Sequence, residues 1–317
     1  MSSLLILTEA GEGIGLGHYT RCSAIREYTV SKGIHCEMLI YIKGDYHFAF
    51  EGEKKNWIEN FEWISGKKNL KNVLVDSYLA PTELYKKLKS YFDKLIVLDD
   101  YNRIVYDADL LINPNVFFNA KKYIQQRGEK LGGKDFVILR KIFQNVSVPS
   151  IDEHINKILI TVGGSDYRNI IPTLINVFRE RNEEIRIISP NKELDIQNLS
   201  HVKIMGKQNE HQIYQQFQWA DVVISACGQT LHELASMGKP TIGICIDKDQ
   251  KPNQAYYLKQ GFLSTEINWN DGDIENKILD NLALLKSKDK RENITKKSLT
   301  LVNRNGVENI VNAIQEL

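Results

Sequence analysis

A chain of 317 residues is long enough for two domains of ordinary size, each with its own hydrophobic core. Hydrophobic residues make up 42% of it and charged residues 26%, and the net charge of +1 provides no field that would attract nucleic acid or an anionic membrane. A nucleic-acid partner is therefore not expected, and no apolar run approaches the length of a membrane span. The four cysteines lack metal-type spacing, which is typical of reduced thiols in a cytoplasmic protein.

The chain begins with a short apolar segment, a glycine-rich loop and a helix. We predict a strand over 4–8 and a helix over 19–31, with glycines at alternate positions in the loop and His18 in the first helical turn. The glycine spacing does not match G-x-G-x-x-G, which disfavours a nicotinamide dehydrogenase. The helix dipole disfavours a charged imidazole, so His18 is a candidate base; the alternative is that it only caps the helix.

Further strands follow in the first half and predict a parallel, doubly wound sheet. The predicted strands are 35–42, 73–77, 94–98, 110–113 and 136–140, with a helix over 82–92. Two of these strands end in acidic residues, Asp76 in one and the pair Asp99 and Asp100 in the other. At the carboxyl edge of the sheet these acids could bind a metal or a sugar, or they could cap the turns that follow.

A second alternation of strands and helices begins after a linker near Asp152. We therefore predict domains at 1–151 and 152–317, with the last helix able to cross back to the first domain. The predicted strands are 157–162, 185–189, 202–205, 221–226 and 240–246, and the predicted helices are 170–181, 210–219 and 230–237. The first of these strands again leads into glycines, so each half opens with a glycine-rich loop at a strand end. Two similar domains that face each other across a cleft are expected.

The segment after the strand ending at Ala226 is the best candidate for a nucleotide site. Gly228, Gln229 and Thr230 would place backbone N–H groups and a hydroxyl at the amino end of a helix, where the helix dipole favours phosphate. Glu233 follows one turn later and could accept both hydroxyls of a ribose. The alternative is that Glu233 is a solvated surface residue and Gly228 is only a turn.

Four sequence elements together resemble the GT-B superfamily. These elements are Gly15 to Arg21, Gly163 to Asp166, Ser225 to Pro240 and Asp249-Gln250. The nearest branch contains the hydrolase of the pseudaminic-acid pathway, which removes UDP from a 2,4-diacetamido-2,4,6-trideoxy hexose, and its relatives in spore-coat polysaccharide synthesis. The resemblance implies two Rossmann-like domains and a UDP-sugar substrate. We expect no cofactor, and no metal because helix amino termini and backbone N–H groups can replace a divalent cation at the diphosphate.

The resemblance also implies roles for individual residues. His18 and Tyr78 would be catalytic, acting on the sugar. The nucleotide would be bound by Gly164, Ser165, Gly228, Gln229, Thr230 and Glu233. The sugar would be bound by Gly15, Gly17, Arg21, Asp249 and Gln250. The chain departs from the branch at Cys227 to Gln229, where Gly-Gly-Ser is common, and at Asp249, where asparagine is common. A carboxylate near a diphosphate is costly unless it meets a sugar hydroxyl or amine.

We therefore expect an enzyme that hydrolyses a UDP-sugar at the anomeric carbon with inversion, in which His18 acts as general base or orients the attacking water. Helix amino termini and backbone N–H groups would stabilise the leaving diphosphate. One alternative is a glycosyltransferase that uses a carbohydrate acceptor in place of water, although a lipid-linked acceptor is disfavoured by the lack of a membrane-facing patch. Another is a non-catalytic nucleotide-sugar sensor, which would not need a base at the helix start.

Overall fold

The computed structural model describes residues 3–45, 49–67, 69–163, 166–191 and 194–317. The chain divides into two compact units. Unit 1 comprises Met1–Lys141 and Asn303–Leu317, and unit 2 comprises Ile142–Val302. By this division Asp152 lies in unit 2, and the last helix of the chain lies in unit 1.

Each unit contains one parallel sheet, and the helices of the described residues connect and cover the strands. In chain order the strands are β1 (Leu4–Gly11), β2 (Cys36–Lys43), β3 (Glu53–Lys54), β4 (Asn72–Asp76), β5 (Lys94–Leu98), β6 (Leu110–Asn113), β7 (Glu129–Gly132), β8 (Lys157–Thr161), β9 (Glu184–Ile188), β10 (Val202–Met205), β11 (Val222–Ala226), β12 (Thr241–Cys245) and β13 (Ile267–Asn268). The helices are α1 (Gly17–Ser31), α2 (Thr82–Tyr91), α3 (Ile171–Val177), α4 (Glu210–Trp219), α5 (Gln229–Met237), α6 (Lys251–Lys259), α7 (Ile274–Leu285), α8 (Lys288–Ser298) and α9 (Gly306–Glu316). None of these helices is long and apolar enough to span a membrane.

Other elements cover both faces of the sheet in unit 1, because the central strand β1 has apolar side chains on both of its faces. Within the described residues the strand order is β3-β2-β1-β4-β5-β6-β7. Leu4 and Ile6 of β1 pack into a core with α1 and α9, whereas Leu5 and Leu7 point to the other face and pack with α2 and Trp57. This alternation along an extended strand explains the full burial of β1 and makes the sheet doubly wound.

The strand order of unit 1 reverses between β1 and β4. These two strands pair in parallel, with Thr8 opposite Asp76, while β2 and β3 extend the sheet on the other side of β1. Ligands of open α/β sheets bind beyond the carboxyl ends of the strands at such a reversal. The loop that leads to His18 follows β1, and Asp76 is the last residue of β4, so both lie at this reversal.

Unit 2 repeats this design with the order β10-β9-β8-β11-β12-β13 in its described part. Here the order reverses between β8 and β11, which pair with Thr161 opposite Ser225. The glycine loop that begins at Gly163 follows β8, and the loop at Gly228 follows β11. The topology therefore places the candidate nucleotide-binding loops at the reversal point of the second sheet.

The predicted architecture of two parallel, doubly wound α/β domains is confirmed, but the predicted strand over 136–140 is wrong. A 3-10 turn spans Lys134–Phe136, and the residues after it form no strand. The apolar side chains that suggested a strand are buried by packing, since Ile138 lies in the same core cluster as Val307 and Ile310 of α9. Burial in this segment comes from the last helix and not from strand pairing.

Candidate active site

The site of unit 1 is centred on a buried pair formed by His18 and Asp76. His18 is the second residue of α1, and its Nδ1 atom lies 2.7 Å from Oδ1 of Asp76. An ionised carboxylate at this distance accepts a hydrogen bond from Nδ1–H, so the ring proton stays on Nδ1 and the lone pair is on Nε2. The imidazole is thereby held in the tautomer in which Nε2 can accept a proton, as in the histidine–carboxylate pairs of hydrolases.

Arg21 lies one helical turn after His18 and binds the same carboxylate. Its Nε donates to Oδ2 of Asp76 at 2.6 Å, and its Nη2 donates to Oδ1 at 2.5 Å. The same guanidinium also donates to Asp100, from Nη1 at 2.9 Å and from Nη2 at 3.0 Å. Arg21 therefore joins carboxylates from the ends of β4 and β5.

Tyr78 completes this group of side chains. Its hydroxyl donates to Oδ2 of Asp100 at 2.6 Å, and its ring stands edge-on to the ring of His18, with centroids 4.3 Å apart and an interplanar angle of 88°. Asn115 donates to Oδ1 of Asp100 at 2.7 Å. We call the set His18, Arg21, Asp76, Tyr78, Asp100 and Asn115 the charged network.

The charges of the network are stabilised by one another. Burial by itself would raise the pKa of Asp76, but Arg21 and His18 outweigh burial and hold that pKa below its usual range. The pKa of Asp100 is lowered as well, because Arg21 outweighs the effect of burial. Desolvation and the Asp100 carboxylate raise the pKa of the Tyr78 hydroxyl, so Tyr78 stays a proton donor. Both carboxylates are therefore ionised near neutral pH.

The two acids at the end of β5 have different partners. Asp100 belongs to the charged network, whereas Asp99 accepts hydrogen bonds from Tyr106 at 2.5 Å, from Tyr123 at 3.1 Å and from the backbone of the following turn. Asp99 thus holds the chain after β5 in place. Asp99 therefore caps the turn that follows β5, whereas Asp100 pairs with Arg21 and Tyr78.

Sequence reasoning missed Glu9, a buried acid inside β1. Its carboxylate accepts hydrogen bonds from the Ser77 hydroxyl and, at 2.8 Å, from the backbone N–H of Tyr78. Glu9 therefore fixes the loop that carries Tyr78. The signal was present in the sequence, since a glutamate inside an apolar strand is buried only when it has hydrogen-bond partners.

Of the glycines predicted to contact the sugar, Gly15 lies in the loop before α1 and Gly17 is the first residue of that helix. Gly15 and Gly17 are exposed, and Gly15 has φ of +75°, a conformation that favours glycine. Arg21, also predicted to bind the sugar, uses its guanidinium on Asp76 and Asp100 as described above. The structure thus brings Arg21, His18 and Tyr78 together and leaves the glycine loop at the surface beside them.

In unit 2 the predicted nucleotide-binding residues lie at the start of α5. Gly228 precedes the helix in an extended conformation, Gln229 and Thr230 form its first turn, and no side chain among the described residues caps it. Glu233 lies in the second turn and is only 1% exposed, so it is not a solvated surface residue. Gly164 and Ser165 lie outside the described residues.

Gln250 joins the ends of two neighbouring strands of unit 2. Its Oε1 accepts hydrogen bonds from the backbone N–H of Cys227 and from that of Ile246, each at 3.2 Å. The side chain thereby holds the loop before Gly228 against the residue that follows β12. Asp249, the neighbouring predicted sugar ligand, is exposed.

The sequence contains Asp-x-Asp triplets of the kind that can hold a divalent metal, at 107–109, 247–249 and 271–273. Carboxylates of all three have protein partners: Asp109 pairs with Lys89, Asp247 accepts from Tyr167 at 2.6 Å, and Asp271 pairs with Lys277. Within the described part of the chain, no cluster of three or more histidine, cysteine or acidic side chains is arranged to bind a metal.

The fold of the chain is GT-B. The crystal structure of MurG from Acinetobacter baumannii matches it with a TM-score of 0.69 at 11% sequence identity, over 99% of this chain and 100% of that one. Residues 157–314 match the model of the glycosyltransferase family 28 C-terminal domain. The resemblance to the GT-B superfamily predicted from the sequence is therefore confirmed.

Two curated proteins are similar over most of this chain. Spore coat polysaccharide biosynthesis protein SpsG of Bacillus subtilis (strain 168) is 23% identical over 280 residues, which cover 81% of each chain. Pseudaminic acid cytidylyltransferase and UDP-2,4-diacetamido-2,4,6-trideoxy-beta-L-altropyranose hydrolase of Helicobacter pylori (strain ATCC 700392 / 26695) is 26% identical over 245 residues. That match covers 74% of this chain and 43% of the Helicobacter protein, so this chain spans less than half of it.

Proposed function

We propose that the chain hydrolyses a UDP-sugar, breaking the bond between the anomeric carbon and the phosphate oxygen and releasing UDP and the free sugar. The observation that carries the proposal is the His18–Asp76 pair, in which the contact at Nδ1 leaves Nε2 free to accept a proton. A protein that only bound a nucleotide sugar would have no use for a base oriented in this way. The Helicobacter relative is named as a hydrolase, which supports water as the acceptor.

In this mechanism Nε2 of His18 takes a proton from water while the water oxygen attacks the anomeric carbon. The bond from that carbon to the phosphate oxygen breaks, and its electron pair leaves with UDP, so the sugar product has the inverted configuration. Asp76 stabilises the imidazolium that forms and does not itself take the proton.

The charge of the network favours this proton transfer. Arg21 carries one positive charge, and Asp76 and Asp100 carry one negative charge each, so the buried group has a net charge of −1 while His18 is neutral. A proton on His18 brings the sum to zero. Proton uptake therefore removes an uncompensated buried charge, which is favourable in a poorly solvated site.

We propose that unit 2 binds the UDP. The backbone N–H groups at Gly228 and the first turn of α5 bind the diphosphate, together with Gly164 and Ser165, and the Gln229 and Thr230 side chains add polar contacts. Glu233 accepts the ribose hydroxyls. Because its carboxylate is buried in the structure, ribose binding involves a movement of the groups that cover it.

The sugar is bound by the loop containing Gly15 and Gly17, by Asp249 and by Gln250. The Asp249 carboxylate accepts a hydroxyl or an amine of the sugar, which offsets the cost of a negative charge near a diphosphate. Arg21 acts on the reaction indirectly, because it binds Asp76 and Asp100, the two carboxylates near His18. The diphosphate is stabilised by helix dipoles and N–H groups and needs no metal.

The test is release of UDP from a panel of UDP-sugars in ¹⁸O-labelled water, with and without carbohydrate acceptors. We expect UDP without an acceptor and ¹⁸O in the sugar, with none in UDP. His18→Asn should abolish release. The matched control is His35→Asn, which changes a surface histidine that also contacts a carboxylate, that of Glu37 at 3.2 Å. Release that requires an acceptor would identify a glycosyltransferase, and no release from any donor would overturn enzymatic hydrolysis.

A further inference from the structure

Asp100 is the residue at which the parts of the charged network meet. Its side chain is 6% exposed. Among the described residues, its Oδ1 accepts from Arg21 at 2.9 Å and from Asn115 at 2.7 Å, and its Oδ2 accepts from Arg21 at 3.0 Å and from Tyr78 at 2.6 Å. These donors come from α1, from the loop after β4 and from the residues after β6. One carboxylate therefore fixes side chains from three parts of unit 1 around His18.

The contact with Tyr78 determines how that ring faces the base. Because its hydroxyl donates to Asp100, Tyr78 offers His18 its ring and not its hydroxyl, and the two rings meet edge-on at 4.3 Å. The residue is 41% exposed, so packing alone does not restrict its rotation. Without Asp100, Tyr78 would lose the hydrogen bond that holds it against the imidazole.

The contact with Arg21 determines the charge around the base. Among the described residues, three groups face His18. Asp76 from β4 accepts a hydrogen bond from Nδ1, and the Tyr78 ring contacts the imidazole. Arg21 from the same helix lies on the Asp76 carboxylate, with its Nη2 3.3 Å from Nδ1 of His18. Cys22 contacts the far oxygen of Asp76, at 3.5 Å. With Asp76 alone, Arg21 would be neutralised, and a proton on His18 would add an uncompensated positive charge. The Asp100 carboxylate supplies the negative charge that compensates the imidazolium.

We propose that Asp100 is a positioning residue, which acts through Arg21 and Tyr78 to keep the His18–Asp76 pair ready to accept a proton. It touches neither the proton nor the substrate. This role rests on the proposed function of His18 as a base, and it assigns to Asp100 both the orientation of the Tyr78 ring and part of the basicity of His18.

The test compares Asp100→Asn with Asp99→Asn. The two acids are adjacent and similarly buried, with exposures of 6% and 4%, but Asp99 bonds to Tyr106 and Tyr123 and not to Arg21. Each variant is titrated by NMR of the histidine ring nitrogens, with the His18 signal assigned from its absence in His18→Asn. We expect Asp100→Asn to move the His18 titration to lower pH, because a carboxylate that balances the imidazolium charge is lost. Asp99→Asn should leave it in place.

Turnover supplies the second readout. In Asp100→Asn we expect kcat to fall at least about 10-fold, with the acid limb of the pH–rate profile displaced to lower pH, and Asp100→Glu should restore part of both. Asp99→Asn should keep the wild-type profile whatever its melting temperature. An unmoved His18 midpoint in folded Asp100→Asn, or an equal shift in Asp99→Asn, would overturn the proposal.

If Asp100→Asn does not fold, Tyr78→Phe tests the positioning role. This variant keeps the ring and the charge of Asp100 but removes the hydrogen bond between them, so kcat should fall while the His18 midpoint stays. Unchanged kcat would overturn the role of Asp100. The NMR titration needs no substrate, so a wild type that released no UDP would refute the proposed function and leave the test of Asp100 intact.

Discussion

Replacing Asp76 by asparagine keeps the shape of the side chain at the end of β4 but removes its charge. Asparagine has one oxygen and one amide nitrogen, whereas Asp76 accepts from Nδ1 of His18 at one oxygen and from Arg21 at both. If the amide nitrogen faces His18, it donates to Nδ1 and moves the ring proton to Nε2. If it faces Arg21, the amide N–H groups meet the guanidinium N–H groups, and no hydrogen bond can form between two donors. Neither orientation preserves both contacts.

The magnitudes follow from these lost contacts. The wrong tautomer removes general-base catalysis, which contributes about 10²–10⁴-fold, so kcat for UDP release should fall by about that factor. Loss of the Asp76 charge also leaves Arg21 with one carboxylate in a buried site, and breaking a buried ion pair costs about 3–5 kcal/mol. At about 2–4 °C per kcal/mol, the melting temperature should fall by about 6–20 °C. UDP affinity should be unchanged, since the proposed nucleotide ligands are in unit 2.

The measurement is made on one preparation of Asp76→Asn, below its melting temperature, by UDP release, UDP calorimetry and thermal unfolding. Asp99→Asn is the matched control, because it makes the same change in another buried aspartate that does not contact His18 or Arg21. It should lose stability and keep kcat. If folded Asp76→Asn released UDP at the wild-type rate, His18 could not be the base in the tautomer that the 2.7 Å contact dictates.

Three further predictions concern other parts of the chain. Glu233→Gln should weaken UDP binding by about 1.5–3 kcal/mol, or about 10- to 150-fold in Kd by calorimetry, and unchanged affinity would remove Glu233 from the ribose site. Turnover should survive EDTA, because N–H groups and helix dipoles stabilise the diphosphate; loss in EDTA with recovery in magnesium would refute this. Lys239 is 3% exposed, and burial lowers its pKa from 10.5 to about 8. Over that interval the unfolded chain binds a proton at Lys239 that the folded chain does not, so Lys239 contributes a rise with pH of about 3 kcal/mol to the free energy of unfolding. Urea unfolding of the wild type and of Lys239→Met should show this contribution as the difference between their pH profiles.

Much of the fold could be predicted because short apolar runs alternate with amphipathic segments. The predicted limits of 202–205 and 210–219 coincide with those of β10 and α4. The segment 136–140 was predicted wrongly because an apolar run can be buried by side-chain packing as well as by strand pairing. Its neighbours in the core, on α9, lie far along the sequence, and local periodicity carries no information about them.

The candidate site shows a second limit to what the sequence can predict. The sequence indicated that Asp76, Asp99 and Asp100 would gather at one edge of a sheet, and His18 was identified from its place at a helix start. Asp99 and Asp100 follow β5 where the chain bends, and their carboxylates have separate partners. Which of the two would meet Arg21 depends on how α1 lies across β4 and β5, a tertiary relation that strand and helix patterns do not specify.

The proposed role of His18 as a base explains why unit 1 buries so many charges. A histidine that accepts a proton at Nε2 needs a hydrogen-bond acceptor at Nδ1, here the Asp76 carboxylate, and a buried carboxylate needs a cation, here Arg21. The cation would then oppose a charged imidazole unless a second carboxylate balanced it, and Asp100 supplies that balance. Each addition is costly in desolvation, and apolar residues at these positions would usually give a more stable domain. A domain that only bound a nucleotide sugar would gain nothing from this arrangement, so the charged network favours an enzyme over a sensor more strongly than the glycine loops do.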